Sequence, residues 1–168
     1  MQWGKKSYGG VKYDLTHLDP FILEIPAFEG GGPINARVRF GSHVFTEKWS
    51  DNYIEAFRVL DGKQSRCFCP IRFGHSVHLP GIVRLSAPGR VLFDPSKKIV
   101  MLGNPPGVLS PYAIFFEMSR AKHIAFELDI LVVSAHEHPQ LKAKVGMDFP
   151  KLARMVANGA QVPWPKRK

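Results

Sequence analysis

The segment from Ile124 to Ala135 constrains the fold of this 168-residue chain more than any other part of the sequence. Apolar side chains occupy alternate positions that would share one face of an extended strand: Phe126, Leu128, Ile130 and Val132. The positions between them also become apolar towards the end of the segment, at Leu131, Val133 and Ala135. A strand that is apolar on both faces is typical of the interior of a sheet. The segment therefore predicts a central strand, paired with a second long strand over Tyr112–Met118.

Glycine and proline residues interrupt the rest of the chain too often for a bundle of long helices. There are 15 Gly and 14 Pro residues, and they separate short segments that favour β-structure. The run Gly30–Gly32 precedes the alternating segment Ile34–Phe40, so it predicts a hairpin with Phe21–Phe28. A phosphate-binding glycine loop would lead into a helix instead of a strand. Two further hairpins are predicted, one pairing 53–60 with 65–69 and one pairing 91–94 with 99–102.

The last element of the predicted fold is a helix that begins near Asp148. Pro150 fits a first helical turn, and apolar residues recur at helical spacing as far as Asn158–Gly159, which would end the helix. Only a short helical turn is predicted earlier, over His78–Val83. We therefore predict an α+β fold, a mostly antiparallel, twisted sheet of about five to seven strands with a C-terminal helix. Residues 1–160 would form one domain with an irregular lead-in over 1–20, and 161–168 would form a mobile basic tail.

The chain carries an excess of positive charge, with 23 Lys and Arg residues against 14 Asp and Glu residues and a net charge of +9. From Pro139 to the end, seven cations accompany the single acid Asp148, so six of the nine net charges lie in that segment. Such a balance raises the affinity for polyanions, and nucleic acid is the predicted partner, RNA more than DNA. The alternative is a solvated basic surface without a specific partner.

Composition and motifs exclude several classes of protein. An apolar fraction of 45% and a charged fraction of 22% are typical of a globular domain and exclude a disordered chain. The N-terminus lacks the apolar run of a signal peptide, and no run of about 18 apolar residues predicts a membrane span. We therefore expect a cytoplasmic protein without a membrane partner. The absence of a Gly-x-Ser-x-Gly elbow, a His-Glu-x-x-His helix and a Walker loop argues against the corresponding hydrolases, zincins and nucleotide triphosphatases.

A pair of histidines follows the predicted central strand, in the segment Ser134–Pro139. Strict alternation would place Ser134, His136 and His138 on one side of the chain. Two imidazoles on one face could divide the work of cleaving RNA, in which the 2′-hydroxyl loses a proton and the 5′-oxygen gains one. The same pair could instead bind a metal ion, or be surface histidines without a chemical role. His136 and His138, together with His75, are the candidate catalytic residues.

Cys67 and Cys69 are the only cysteines of the chain, and His75 and His78 follow them closely. Two cysteines and two histidines form a ligand set that zinc prefers, but structural zinc sites separate paired cysteines by two to four residues, and here one intervenes. The favoured interpretation places one cysteine in the core, with no disulfide. No metal or other cofactor is predicted, and the four residues stay a secondary zinc hypothesis.

Basic and aromatic residues outside these motifs are the candidate contacts to nucleic acid. Arginines on the polar face of Ile34–Phe40 and near the cysteine motif could hold phosphates, and a tryptophan in the basic tail could stack on a base. The full set is Arg37, Arg39, Arg66, Arg72, Lys142, Lys144, Trp164, Lys166, Arg167 and Lys168. A third polar segment, Ser42–Glu47, contains His43 and could add acid–base or phosphate contacts, or could only end the strand before it.

Two resemblances bear on function. A first set of residues is similar to a group of small, uncharacterised bacterial and prophage proteins: His43, Phe45-Thr46, Arg66, Phe68, Arg72, Leu79-Pro80, Ile82, Phe115-Phe116 and Ser134-Ala135. This resemblance covers about the middle two-thirds of the chain and implies no activity. A basic chain that ends in two long antiparallel strands also resembles RelE-like and barnase-like toxin ribonucleases at the level of the fold. Those toxins are commonly shorter, and their catalytic residues do not map onto this sequence.

These observations predict a basic protein that binds nucleic acid and cleaves RNA without a metal ion. In that hypothesis His136 and His138 exchange protons, Arg66 and Arg72 hold phosphate, and Lys142, Lys144 and the tail contribute salt-dependent affinity. The alternative is a non-enzymatic bacterial or phage module that docks on a protein partner through a free strand edge or through its arginine-bearing face.

Overall fold

The computed structural model describes residues 2–96 and 98–164. Its strands are β1 Lys5–Tyr8, β2 Val11–Asp14, β3 Phe21–Ile25, β4 Ile34–Phe40, β5 Thr46–Lys48, β6 Arg58–Asp61, β7 Gln64–Phe68, β8 Arg90–Asp94, β9 Lys98–Gly103, β10 Tyr112–Arg120, β11 Leu128–Glu137 and β12 Lys144–Asp148. Its helices are α1 Pro70–Ser76, α2 Leu79–Ser86 and α3 Phe149–Ala157, and single 3-10 turns occupy Thr16–Leu18, Ser42–Val44 and Glu55–Phe57.

The described residues form one large sheet and two small ones. The large sheet has seven strands in the order β12-β8-β9-β10-β11-β4-β3, and its strand pairs are antiparallel except for β4 and β11. The strands β5, β7 and β6 form a separate sheet of three, and β1 pairs with β2 in a hairpin. The predicted α+β fold, with a mostly antiparallel sheet and a C-terminal helix, is confirmed.

Helices α2 and α3 cover one face of the large sheet and close the main hydrophobic core. Val83 of α2 and Phe149 of α3 pack with Ile114 and Phe116 of β10 and with Ile130 of β11. The opposite face is covered only locally, where three partly buried side chains lie over a small second cluster: Leu92, Leu141 and Ala143 over Val100, Ala113 and Phe115. We call this second side of the sheet the open face.

A β-bulge changes which side chains reach the open face. The register between β10 and β11 pairs Phe116 with Val132 but Phe115 with Ser134, so Val133 is an extra residue. One inserted residue reverses the alternation of every side chain after it. Ala135 therefore joins the core, where it is fully buried, and Ser134 and His136 lie opposite the core. The expectation of unbroken alternation along this strand was wrong.

Several elements differ from the sequence-based expectation, and strands β5 and β12 were not predicted at all. The predicted lead-in contains the β1–β2 hairpin, whose turn uses positive φ angles at Gly9 (57°) and Gly10 (79°). Two helices, α1 and α2, occupy the region where only a short turn was predicted. Each has a proline in its first turn, where a missing N–H costs nothing, and the internal glycines Gly74 and Gly81 weakened the helical pattern. The central strand begins at Leu128 instead of Ile124.

Among the described residues, no helix combines the length and apolarity that crossing a membrane requires.

Candidate active site

The parallel pairing of β4 and β11 brings two histidine-bearing segments to the same edge of the sheet. The two strands run side by side from Ala36 and Leu128 to Phe40 and Val132, and the backbone N–H of Gly41 then donates to the Val132 carbonyl at 2.8 Å. Parallel strands end together, so Ser42–Val44 after β4 and His136 at the end of β11 lie at this edge. The sequence alone had left the His43 and His136 segments unrelated.

Arg72 on helix α1 lies among these histidines. Its Nη1 donates to the Thr46 carbonyl at 2.8 Å and to the His43 carbonyl at 3.4 Å. Its positive charge also acts on the pKa values of His43, Tyr112 and His136. We define the strand-end cluster as His43, Arg72, Tyr112, His136 and His138.

His136 and His138 form an aromatic group with Phe115 on the open face. The His136 ring stacks on Phe115 with centroids 5.6 Å apart and an interplanar angle of 22°, and the two imidazole centroids are also 5.6 Å apart. Burial, the charge of Arg72 and the charge of His138 lower the pKa of His136 to about 4. Its Nδ1 is buried and has no hydrogen-bond partner among the described residues. His136 is therefore a neutral base at pH 7 in the absence of a ligand.

The low pKa of His136 predicts a pH-dependent stability. The unfolded chain binds this proton below pH ~6.5, whereas the folded chain binds it only near pH 4 and below. The free energy of unfolding should therefore increase as the pH is raised from about 4 to about 6.5. After allowance for partial solvent exposure, the contribution is roughly 1–2 kcal/mol. His136→Phe, which preserves the stacking, should reduce this slope in urea titrations. His123→Phe is the control, since the exposed His123 also stacks on a phenylalanine; equal slopes in both variants would contradict the prediction.

His43 lies against a carboxylate that the small sheet supplies. Its Nε2 is 3.6 Å from Oδ2 of Asp61, the last residue of β6, and the Ser42 hydroxyl donates to the same oxygen at 2.5 Å. Burial, with further contributions from Arg66 and Arg72, lowers the pKa of His43 although Asp61 opposes the shift. Ser42 donates directly to the carboxylate, so these three residues do not form a serine nucleophile activated by histidine.

Tyr112 contributes a buried hydroxyl on the other side of β10 from Phe115, where the residue belongs to the main hydrophobic core. The residue is 1% exposed, and its hydroxyl has no hydrogen-bond partner among the described residues. Burial, with a smaller opposing effect of Arg72, raises the pKa of Tyr112 well above its usual value, so the group stays a neutral donor. The His75 ring contacts Tyr112 edge-on with centroids 5.7 Å apart. This ring contact places His75 beside Tyr112, and its catalytic role stays a prediction.

The other arginines predicted to contact nucleic acid form hydrogen bonds or ion pairs within the protein. Arg66 is 8% exposed and donates from Nε to the Thr46 hydroxyl at 2.7 Å. Arg37 and Arg39 lie on the open face, where both pair with Asp129. Partial burial alone would raise the pKa of Asp129, but the hydrogen bonds from the two arginines outweigh it and lower the pKa. Arg37, Arg39 and Asp129 together therefore leave one net positive charge on the open face.

The C-terminal cations do not all lie beside the histidines. Lys142 is exposed, and it follows Leu141, whose N–H donates to the His138 carbonyl at 3.1 Å. Arg154 of α3 donates instead to the Gly32 carbonyl, before the start of β4 and so at the opposite end of the sheet. Lys151 lies in the same region, over Phe28. The basic segment is thus divided between the two ends of the sheet.

The other predicted contacts lie elsewhere or outside the described residues. Trp164 packs edge-on against Phe93 with centroids 5.7 Å apart, so its ring is used in packing. Lys144 begins β12. The tail residues Lys166, Arg167 and Lys168 lie outside the described residues.

The secondary zinc hypothesis is wrong for the described part of the chain. No group of three or more His, Cys, Asp and Glu side chains there is arranged to hold a metal ion. Cys67 is buried in β7 and donates to the Phe68 carbonyl at 3.4 Å, whereas Cys69 precedes helix α1 and His78 precedes α2. The four residues are therefore distributed over β7, the start and the last turn of α1, and the start of α2.

One histidine–hydroxyl pair had no signal in the sequence. His17 Nε2 lies 2.9 Å from the hydroxyl of Ser76, which is fully buried. That hydroxyl donates to the Phe73 carbonyl at 2.7 Å, so its proton is directed away from the imidazole. Burial lowers the pKa of His17. The pair fixes the 3-10 turn Thr16–Leu18 against helix α1 and is structural.

Comparison with known proteins gives a family but no activity. The model of the YjaZ family matches residues 5–157, a range that contains the whole strand-end cluster and ends with the last residue of α3. This match supports the resemblance to a group of small bacterial proteins. No curated protein and no solved structure matches the chain, so the likeness to RelE-like and barnase-like toxins is not confirmed.

Proposed function

The chain belongs to the YjaZ family, and we propose that it is a cytoplasmic RNA-binding protein whose strand-end cluster cleaves the bound strand without a metal ion. The observation that carries the proposal is the convergence of His43, Arg72 and His136 at the common end of two parallel strands. Binding sites of sheets that contain parallel strands favour this end, because loops there gather side chains from several elements.

The proposed reaction is an internal transesterification. The 2′-oxygen of one ribose attacks the adjacent phosphorus, and the bond from phosphorus to the 5′-oxygen breaks. His136 accepts the proton of the 2′-hydroxyl, and a protonated His138 donates a proton to the departing 5′-oxygen. The products are a 2′,3′-cyclic phosphate and a 5′-hydroxyl, so that atoms and charges balance without a further reactant.

The charges of the cluster suit this chemistry once a phosphate is present. Arg72 and His138 help to lower the pKa of His136, and a bound phosphate would offset both positive charges. The pKa of His136 would then move towards neutrality, where a general base is most effective. Arg72 supplies a fixed positive charge for the developing phosphorane.

The aromatic side chains of the cluster on the open face favour a single-stranded ligand. The half-buried imidazole rings of His136 and His138 lie on the open face, with the buried Phe115 beneath them. Single-stranded RNA, whose bases are free to stack, fits such a surface better than a duplex.

The salt dependence of binding tests the proposal. The logarithm of the binding constant for a fluorescent single-stranded RNA should fall linearly with the logarithm of salt concentration, because phosphate binding releases counterions. Lys142→Gln should reduce that slope by roughly 0.7, the expectation for one phosphate contact to a single strand. Lys151→Gln, at the other end of the sheet, is the matched control and should leave the slope unchanged.

Two outcomes would contradict the proposal. Equal effects of the two lysine variants would place the binding surface elsewhere. Absence of RNA binding at low salt, or binding that is insensitive to salt, would favour the non-enzymatic module that docks on a protein partner.

A further inference from the structure

A cleft of about 270 Å³ opens beside the strand-end cluster, on the open face of the sheet. Leu131 and Val133 of β11 form part of its floor, and Trp3 forms one wall. The Trp3 indole is fixed there, since its Nε1 donates to the Phe40 carbonyl at 3.2 Å and its ring packs edge-on against Phe45. The cleft is near the lower limit of about 300 Å³ for ligand pockets, which suits a single flat ring system.

The rim of this cleft carries two opposite charges and an imidazole. Asp61, Arg39 and His43 all line it. Asp61 accepts from Ser42 through Oδ2, and a carboxylate has lone pairs for further donors. Arg39 pairs with Asp129 through Nε and Nη2, at 2.9 and 3.2 Å, and its guanidinium has further N–H donors. The rim thus offers both a hydrogen-bond acceptor and hydrogen-bond donors.

We propose that this cleft binds a guanine base. Guanine presents two neighbouring donors, N1–H and the N2 amino group, which one carboxylate can accept together, and it presents O6 and N7 as acceptors for an arginine. Adenine and cytosine each offer a carboxylate only one amino group on their pairing edge, and uracil offers one imide N–H. Asp61 and Arg39 therefore match guanine in both the number and the sign of its hydrogen-bonding groups.

The location of the cleft links base recognition to cleavage. His43 belongs both to the rim of the cleft and to the strand-end cluster, so a nucleotide whose base enters the cleft presents its ribose to the cluster. This step rests on the proposed function and adds to it a preference for single-stranded RNA cleaved on the 3′ side of guanosine.

Titration of the full chain with 5′-mononucleotides tests the guanine cleft separately from RNA cleavage. Ligand-induced shifts of the Trp3 indole resonance should show GMP binding at least tenfold more tightly than AMP, CMP or UMP. Asp61→Asn should remove this preference, because an amide cannot accept both guanine donors. Asp51→Asn is the matched control, since Asp51 is an exposed acid outside the cleft. The indole resonance of each free variant shows whether the cleft is intact.

The outcomes separate this inference from the proposed function. Equal binding of the four nucleotides, no binding of GMP, or a preference that survives in Asp61→Asn with an intact indole resonance would overturn the guanine cleft. RNA cleavage without base preference would overturn the cleft alone. A guanine preference in a protein that neither binds nor cleaves RNA would support the cleft and overturn the proposed function.

Discussion

Replacing Phe68 with alanine is expected to lower the free energy of unfolding by roughly 3–5 kcal/mol, the cost of deleting a large ring from a packed core. Phe68 is 2% exposed. It contacts five other rings at centroid distances from 4.3 to 6.5 Å: Tyr8, Tyr13, Phe45, Phe57 and Phe73. Because total stability is typically about 5–15 kcal/mol, this loss would be a large part of it.

The same substitution should also weaken the site. The five rings come from the β1–β2 hairpin, the turns on either side of β5, and helix α1. Phe68 therefore joins the small sheet, which carries Asp61, to the helix that carries Arg72. Urea unfolding monitored by circular dichroism measures the effect. Phe68→Leu, which keeps most of the apolar volume, should cost less than about 1.5 kcal/mol. A cost below about 1 kcal/mol for the alanine variant would show that the aromatic cluster does not hold these elements together.

Removal of the histidine pair is expected to have the largest effect on activity. His136→Ala and His138→Ala should each reduce the rate of RNA cleavage by about 10²–10⁴, the usual contribution of a positioned acid or base. The double variant should lose little more than the worse single variant, since the two groups act in one proton-transfer sequence. His78→Ala is the control, because His78 is exposed and precedes helix α2.

Binding must be followed alongside cleavage in these variants. Retained affinity with lost cleavage would assign the pair to catalysis. An unchanged rate in the double variant would remove the pair from the mechanism and leave His43 to be tested in the same way.

The sequence predicted the long strands because burial on both faces leaves a direct pattern. Leu128, Ile130 and Val132 alternate as a buried strand requires, and the structure places β10 and β11 in the interior of the sheet. The bulge at Val133 has no such signal, because Val133 is apolar like its neighbours. Its consequence is large, since it alone moves His136 onto the open face.

The site was harder to predict because it depends on a pairing between distant segments. Asp129 and Arg37 are 92 residues apart in sequence, and only the parallel register of β4 and β11 brings them together. Both strands end in a polar Ser-x-His or Ser-His segment, at Ser42-His43 and Ser134–His136, and this similarity was the one available signal. Asp61 could not be placed, because it reaches the cleft from a separate small sheet.

Charge density along the sequence was a poor guide to the position of charge in the fold. Arg154 and Lys151 share a helix with the apolar stripe that packs on the core, and this packing directs them to the far end of the sheet. Lys142 lies beside His138 because Leu141 is anchored over the second cluster. Tertiary packing, and not sequence separation, decided which cations accompany the histidines.

The most direct test of the account is the chemical identity of the products formed when wild-type protein is incubated with a single-stranded RNA in the presence of EDTA. Mass spectrometry should show fragments that end in a 2′,3′-cyclic phosphate paired with fragments that begin with a 5′-hydroxyl. An RNA with a single 2′-deoxy position should resist cleavage at that bond. No cleavage, products with a 5′-phosphate, or cleavage at the deoxy position would contradict the account.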